Sequence, residues 1–173
     1  MSIPNLSTQG NYLGTFGGLN TGFTDEGWFF EIIHKGEMLR FEEFGQNVVD
    51  YIRLGADVFV EAVLKDWNAA ALQAILWPYS TDFGNMDCPA GQFASETGAP
   101  LILSARPCSH AGGSDGGPAS ITFHNAVFEP EVAARINLNN QTRTVPVRFR
   151  ILLCDINPST GVSDPIYSFF SVA

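Results

Sequence analysis

Basic side chains are scarce in this chain: nine lysines and arginines stand against eighteen aspartates and glutamates, a formal net charge of −9. A surface that grips phosphates needs clustered Lys and Arg, so a dedicated DNA- or RNA-binding role is excluded. Charge of either sign is short, at 16% of residues, where an ordinary soluble domain carries about a quarter. That shortage has two readings. One is a compact monomer clothed in Ser, Thr, Asn and Gly; the other is a surface partly covered by further subunits, because charged residues are depleted at interface cores. No run approaches the ~20 apolar residues of a membrane span, so no membrane contact is expected. Met1–Asn5 show neither a basic start nor an apolar run, which predicts a chain without a secretory signal. Cysteine is limited to Cys88, Cys108 and Cys154, with no CxxC spacing. These read as free thiols in a reducing cytoplasm or, alternatively, as a Cys88–Cys108 bridge with one thiol left over.

The groups that carry catalysis are equally sparse. Neither GxSxG nor HExxH occurs, and Gly112–Gly117 lacks the closing Lys-Ser/Thr of a phosphate-binding loop. The acidic pairs Asp25-Glu26 and Glu42-Glu43 are neighbours along the chain rather than convergent carboxylates. Of the three histidines, His34 falls at a predicted turn and His124 on a predicted strand, as an outward polar residue. Cys108-Ser109-His110 with Asp87 and Cys88 offers zinc-type ligands, but only one close pair exists where structural sites show two. The expectation is therefore no enzyme, no metal and no cofactor. An enzyme would require His110, Asp87 and Cys108 to converge without any supporting motif.

What is abundant is apolar side chain, 45% of residues. That is enough for one full core in a chain of this length, and it argues against disorder. Residues 1–27, with Gly10, Gly14, Gly17, Gly18 and Gly22, read as an extended N-terminal arm; residues 28–173 read as a single domain. Within it, Trp28–His34 and Met38–Phe44 flank Lys35-Gly36-Glu37 as one β-hairpin, and Val48–Leu54 and Asp57–Lys65 flank Gly55 as a second. In the last of these runs Val58, Val60, Ala62 and Leu64 alternate onto one apolar face. Asp66–Pro78 is the one convincing helix, capped by Asp66 or Asn68, stopped by Pro78, and carrying Leu72, Ile75 and Leu76 on its core face. Long irregular loops follow at about 79–98 and 104–118, separated by a short strand at Leu101–Leu103. Strands return over Ser120–Phe128, Val132–Leu138, Thr142–Asp155 and Ile166–Val172. In Thr142–Asp155, Val145, Val147, Phe149, Ile151 and Leu153 face one way, opposite Thr144, Arg148 and Arg150, and Pro146 places that stretch at a sheet edge or strand start. The predicted fold class is mainly β, a sandwich or barrel with one flanking α-helix.

Charge is also unevenly distributed. Ten carboxylates lie between Asp25 and Asp66 against Lys35, Arg40, Arg53 and Lys65, whereas Arg135, Arg143, Arg148 and Arg150 fall in the last third. Opposite signs on two parts of one small domain suit head-to-tail contact between copies.

Two segments carry a family resemblance. Ala56–Asp66, followed at once by the helix ending Leu72-Gln73-Ala74-Ile75-Leu76, resembles the strand-then-helix centre of the tail-tube (major tail) proteins of long-tailed bacteriophages. Pro118–Pro130 and Arg143–Phe149 are similar to their closing strands. Together these segments cover 41 of the 173 residues, about a quarter of the chain. The resemblance implies a tail-tube-like subunit that forms hexameric rings, stacked head to tail into a hollow virion tube assembled in the host cytoplasm. Its partners would be copies of itself, other tail proteins at the tube ends, and DNA passing through an acidic lumen without specific binding. Glu37, Glu42 and Glu43 are then the lumen-facing candidates, and the arm and long loops would bridge rings. Two other readings stay open: a ring-forming tube protein of a secretion system, and a β-sandwich ligand-binding or virion-surface module using Tyr79, Phe83 and Phe93.

Overall fold

The computed structural model describes residues 12–40, 48–78, 93–105, 119–129, 133, 136–138, 143–153 and 168–172. It is mainly β. In chain order the elements are β1 (Tyr12–Phe16), β2 (Leu19–Asn20), β3 (Phe23–Arg40), β4 (Val48–Asp66), α1 (Ala69–Leu76), α2 (Ala94–Thr97), β5 (Ala99–Ala105), β6 (Ser120–Phe128), β7 (Asn137–Leu138), β8 (Arg143–Ile151) and β9 (Phe170–Val172). The strands form an antiparallel sheet in the order β2-β1-β5-β6-β8-β4-β3, with β9 on β6 and β7 on β8.

The glycine-rich N-terminal segment is not an arm throughout: from Tyr12 onward it belongs to the sheet. β1 runs its full length against β5, from Tyr12 opposite Ala105 to Phe16 opposite Leu101. A two-glycine turn then brings Leu19 back opposite Phe16. Glycine serves close packing here. Thr21, fully buried, donates both its hydroxyl and its backbone N–H to the Gly14 carbonyl, at 2.9 and 3.0 Å. A Cβ on Gly14 would fall on the Trp28 ring and 2.8 Å from Thr21 Oγ1. Gly14→Ala is therefore expected to cost about 1–3 kcal/mol by overpacking, read as a lower urea midpoint; an unchanged midpoint would mean that β1 does not lie against Trp28.

The two predicted hairpins are in fact one. Lys35-Gly36-Glu37 runs straight through β3 rather than turning, and β4 answers it with Lys35 opposite Gly55 and Gly36 opposite Arg53, leaving Leu54 as an extra residue. Gly55 absorbs that bulge with φ +143°, where a side chain would be strained.

The core fills the concave face of the sheet. Val58, Val60, Ala62 and Leu64 of β4 are buried there with Val145, Val147, Phe149 and Ile151 of β8. Alternation explains both rows, since every second side chain of a strand shares a face. Leu153 does not extend the β8 row: β8 ends at Ile151, and Leu153 is 52% exposed. Pro146 sits between the part of β8 that pairs β6, at Phe149–Ile151, and the part that pairs β7, at Arg143 and Thr144. A missing N–H is tolerated on that singly flanked stretch.

The sheet is strongly curled. Phe30 of β3 meets Phe123 of β6 at 5.2 Å and Phe170 of β9 at 5.0 Å between ring centroids, and Phe16 of β1 meets Phe149 of β8 at 5.4 Å. In a flat sheet β3 and β6 would stand three strand spacings apart, about 14 Å. Curling brings these faces together, but the sheet does not close. Helix α1 packs on the core through Ala71, Leu72 and Ile75, with Leu76 half-buried. It begins where Asn68 Oδ1 accepts the Ala70 N–H at 2.9 Å.

Candidate assembly surface

Two features of the outer surface stand apart from the core. The first is a charged network on the convex face of β3, β4 and β8. Register places Glu31, Phe59 and Arg150 in one cross-strand row and Phe29, Glu61 and Arg148 in the next. Arg148 lies 4.5 Å above the Phe59 ring and among three carboxylates: Nη1 to Glu61 at 2.8 Å, Nη2 to Glu31 at 3.9 Å, and Nε paired with Glu129 at 2.5 Å. The last contact is an ion pair without the alignment of a hydrogen bond. Asp57 takes Lys35 at 2.6 Å and Arg150 at 3.1 Å, and hydrogen bonds from Lys35 and then Arg150, working against burial, hold its carboxyl below the usual carboxylate range. Lys65 pairs with Asp25 at 2.7 Å.

This network corrects one inference from sequence. Glu31, Asp57 and Glu61 and the arginines Arg148 and Arg150 do not mark two separate poles; β8 lies beside β4, and these opposite charges are paired within one chain. Arg150 and Asp57 are 93 residues apart in sequence, so only the strand order shows that they meet.

The second feature is the distal half of the β3–β4 hairpin. β8 pairs β4 only from Val58 to Leu64. Beyond it, residues 35–40 and 48–55 form a two-stranded ribbon with no third strand among the described residues. A lone ribbon is marginal in water, and independently stable sheets need three strands or a packed face. Yet this one displays large apolar side chains: Met38, Val48, Tyr51, Ile52 and Leu54 are each 44–65% exposed. At its root β3 remains the open edge of the sheet, with Phe29 55% and Ile33 43% exposed. Natural proteins blunt or cover such edges, and contiguous apolar surface of this kind marks interaction sites.

Glu37 is exposed on the ribbon; Glu42 and Glu43 lie outside the described residues, as do Tyr79, Phe83, Asp87, Cys88, Cys108, His110 and Cys154. Phe93, 72% exposed, precedes α2. No group of three or more His, Cys, Asp or Glu able to hold a metal occurs among the described residues, and no described helix is long and apolar enough to cross a membrane. A shallow groove of about 360 Å³ lies among the described residues between Asn20, Gly22, Phe23, Trp67 and Asn68. The ribbon was visible in sequence as two apolar-rich runs, but not its isolation, which depends on where β8 stops.

His124 on β6 gives a pH-sensitive point. Burial pushes its pKa below the ordinary 6.5, and its Nε2 has no partner among the described residues. Since the unfolded chain binds this proton more readily, stability is full above pH 6.5 and declines as pH falls from there through the lowered folded value. Urea midpoints are expected to drop between pH 7.5 and pH 5, with His124→Gln flattening the slope; an equal slope in that variant would assign the effect elsewhere.

No protein-family model matches the chain, and no curated protein matches it.

Proposed function

We propose that the chain is a structural subunit that assembles with copies of itself into stacked rings forming a hollow tail tube, the reading implied by its resemblance to phage tail-tube proteins. The observation that carries it is the ribbon at residues 35–40 and 48–55, which has no third strand among the described residues and leaves Met38, Val48, Tyr51, Ile52 and Leu54 exposed. Covering that ribbon and the open edge of β3 with neighbouring copies accounts for both, and for the low overall charge. The curled sheet with a helix on its core suits the sandwich-type tube subunit of that family, and DNA would pass an acidic wall for which Glu42 and Glu43 are the candidates. Repulsion, not binding, is the role of those carboxylates.

The groove beside Trp67 favours a second reading, a ligand-binding or virion-surface module, since an aromatic pair flanked by two side-chain amides is a surface on which a small polar ligand can rest. Negative-stain electron microscopy across a concentration series separates the two. Rings or tubes with a central hole support the tube subunit; a monomer persisting at every concentration removes it and leaves the groove as the functional candidate.

A further inference from the structure

The ribbon's two faces carry charges of opposite sign. Parity along β3 puts Gly36, Met38 and Arg40 on one face, and register puts Tyr51, opposite Met38, and Arg53, opposite Gly36, on that same face; a second irregularity, with Val49 as the extra residue, precedes the pairing of Arg40 with Val48. A Cβ on Gly36 would collide with the Tyr51 ring, which fixes Tyr51 on that side. The opposite face holds Glu37 and Leu39 of β3 with Ile52 and Asp50 of β4. The first face is apolar and basic, the second apolar and acidic. Lys35 shares the acidic side but is paired with Asp57, so it does not cancel Glu37 and Asp50. The bulge at Leu54–Gly55 creates this sorting: by inserting one residue it shifts β4 by a position, which moves Arg53 onto the side of Arg40 and Asp50 onto the side of Glu37. Without the bulge each face would mix both signs.

We infer that the ribbon is a head-to-tail coupling element, in which the basic face of one copy stacks on the acidic face of the ribbon of a second copy of this chain. This rests on the tube-subunit reading for its partner and deepens it by stating which surfaces meet. A two-fold contact would set like faces together, arginine against arginine or carboxylate against carboxylate, at a cost of several kcal/mol. Opposite faces attract. Because the contact joins two different surfaces, it repeats from copy to copy and closes into a ring where the rotation allows. Two β faces stack about 10 Å apart, so Met38 and Tyr51 of one ribbon would cover Leu39 and Ile52 of the next, removing from water the side chains that the isolated chain leaves exposed.

Charge reversal tests this in the intact chain, using sedimentation velocity to follow assembly and thermal melting to check the fold. Arg40→Glu with Arg53→Glu makes both faces acidic; Glu37→Arg with Asp50→Arg makes both basic. Each pair is expected to raise the concentration needed for assembly by about tenfold or more without moving the melting point. Mixing the two variants, or combining all four substitutions in one chain, restores complementary faces and is expected to restore assembly. Assembly indifferent to either reversal overturns the inference, as does failure of the four-fold variant to assemble while melting normally. A wild-type chain that never self-associates overturns it too. Micrographs of the same samples separate it from the tube reading: hollow rings indifferent to charge reversal leave the tube and remove the coupling, whereas charge-dependent particles without a central hole leave the coupling and remove the tube.

Discussion

Replacing Phe149 by alanine is expected to lower the unfolding free energy by about 3–5 kcal/mol, the largest loss of any single substitution proposed for this chain. Phe149 is fully buried, stands opposite Val60 of β4 and Phe128 of β6, and touches Phe16 and Trp28 with ring centroids at 5.4 and 6.4 Å. It thus joins the middle of the sheet to both of its ends, and truncation removes the contacts that hold the sheet curled. Partial collapse around the void is limited because its neighbours belong to four paired strands, so the cavity term adds to the lost transfer energy. Chemical denaturation of the purified variant measures the loss. A cost below about 1 kcal/mol would show that the curl does not depend on these rings meeting.

Met38→Asp combined with Ile52→Asp is expected to abolish self-association while leaving the fold intact. Met38 is 58% and Ile52 44% exposed, and exposed sites away from the core usually change stability by no more than about 0.5 kcal/mol. In an assembly the same two positions would be covered, one on each face of the ribbon, and an unpaired buried carboxylate at either is strongly unfavourable. The readout is a pair of measurements: melting temperature, expected to stay within a few degrees of wild type, and mass by light scattering, expected to fall to the monomer. A variant that assembles normally would place the contact surface elsewhere. A variant that melts early would show that the ribbon packs on its own domain.

These two predictions divide along the same line as the legibility of the sequence. The buried rows of β4 and β8 were readable because Val58-Val60-Ala62-Leu64 and Val145-Val147-Phe149-Ile151 alternate strictly, and alternation is a local property of a half-buried strand. Helix α1 was readable from its cap at Asn68 and its alanines. The first sheet strands were hidden because the glycines that read as a loose arm serve instead to let Gly14 approach Trp28 and to turn the chain after Phe16. Lys35-Gly36-Glu37 has turn composition, so the long hairpin looks like two in sequence, and only the pairing with Arg53 and Gly55 shows it to be strand. Leu153 continued the apolar alternation past the point where pairing stops.

The candidate surface was less legible than the fold. Sequence located the acidic residues and the arginines but not their distances, and the pairing of Asp57 with Arg150 and of Glu61 with Arg148 depends wholly on strand order. It also could not tell that residues 35–40 and 48–55 outrun every neighbouring strand among the described residues. The two-faced sorting of Arg40 and Arg53 from Glu37 and Asp50 follows from one inserted residue at the bulge, a feature set by register rather than composition.

The most direct measurement is amide hydrogen exchange on the intact chain, compared between dilute and concentrated samples. If the ribbon is the contact between copies, the amides of residues 35–40 and 48–55 exchange fast when dilute and become protected on assembly, while those of Val58–Ala62, already paired on both sides, change little. Ribbon amides that exchange equally fast in dilute and assembled protein would contradict self-association through this element.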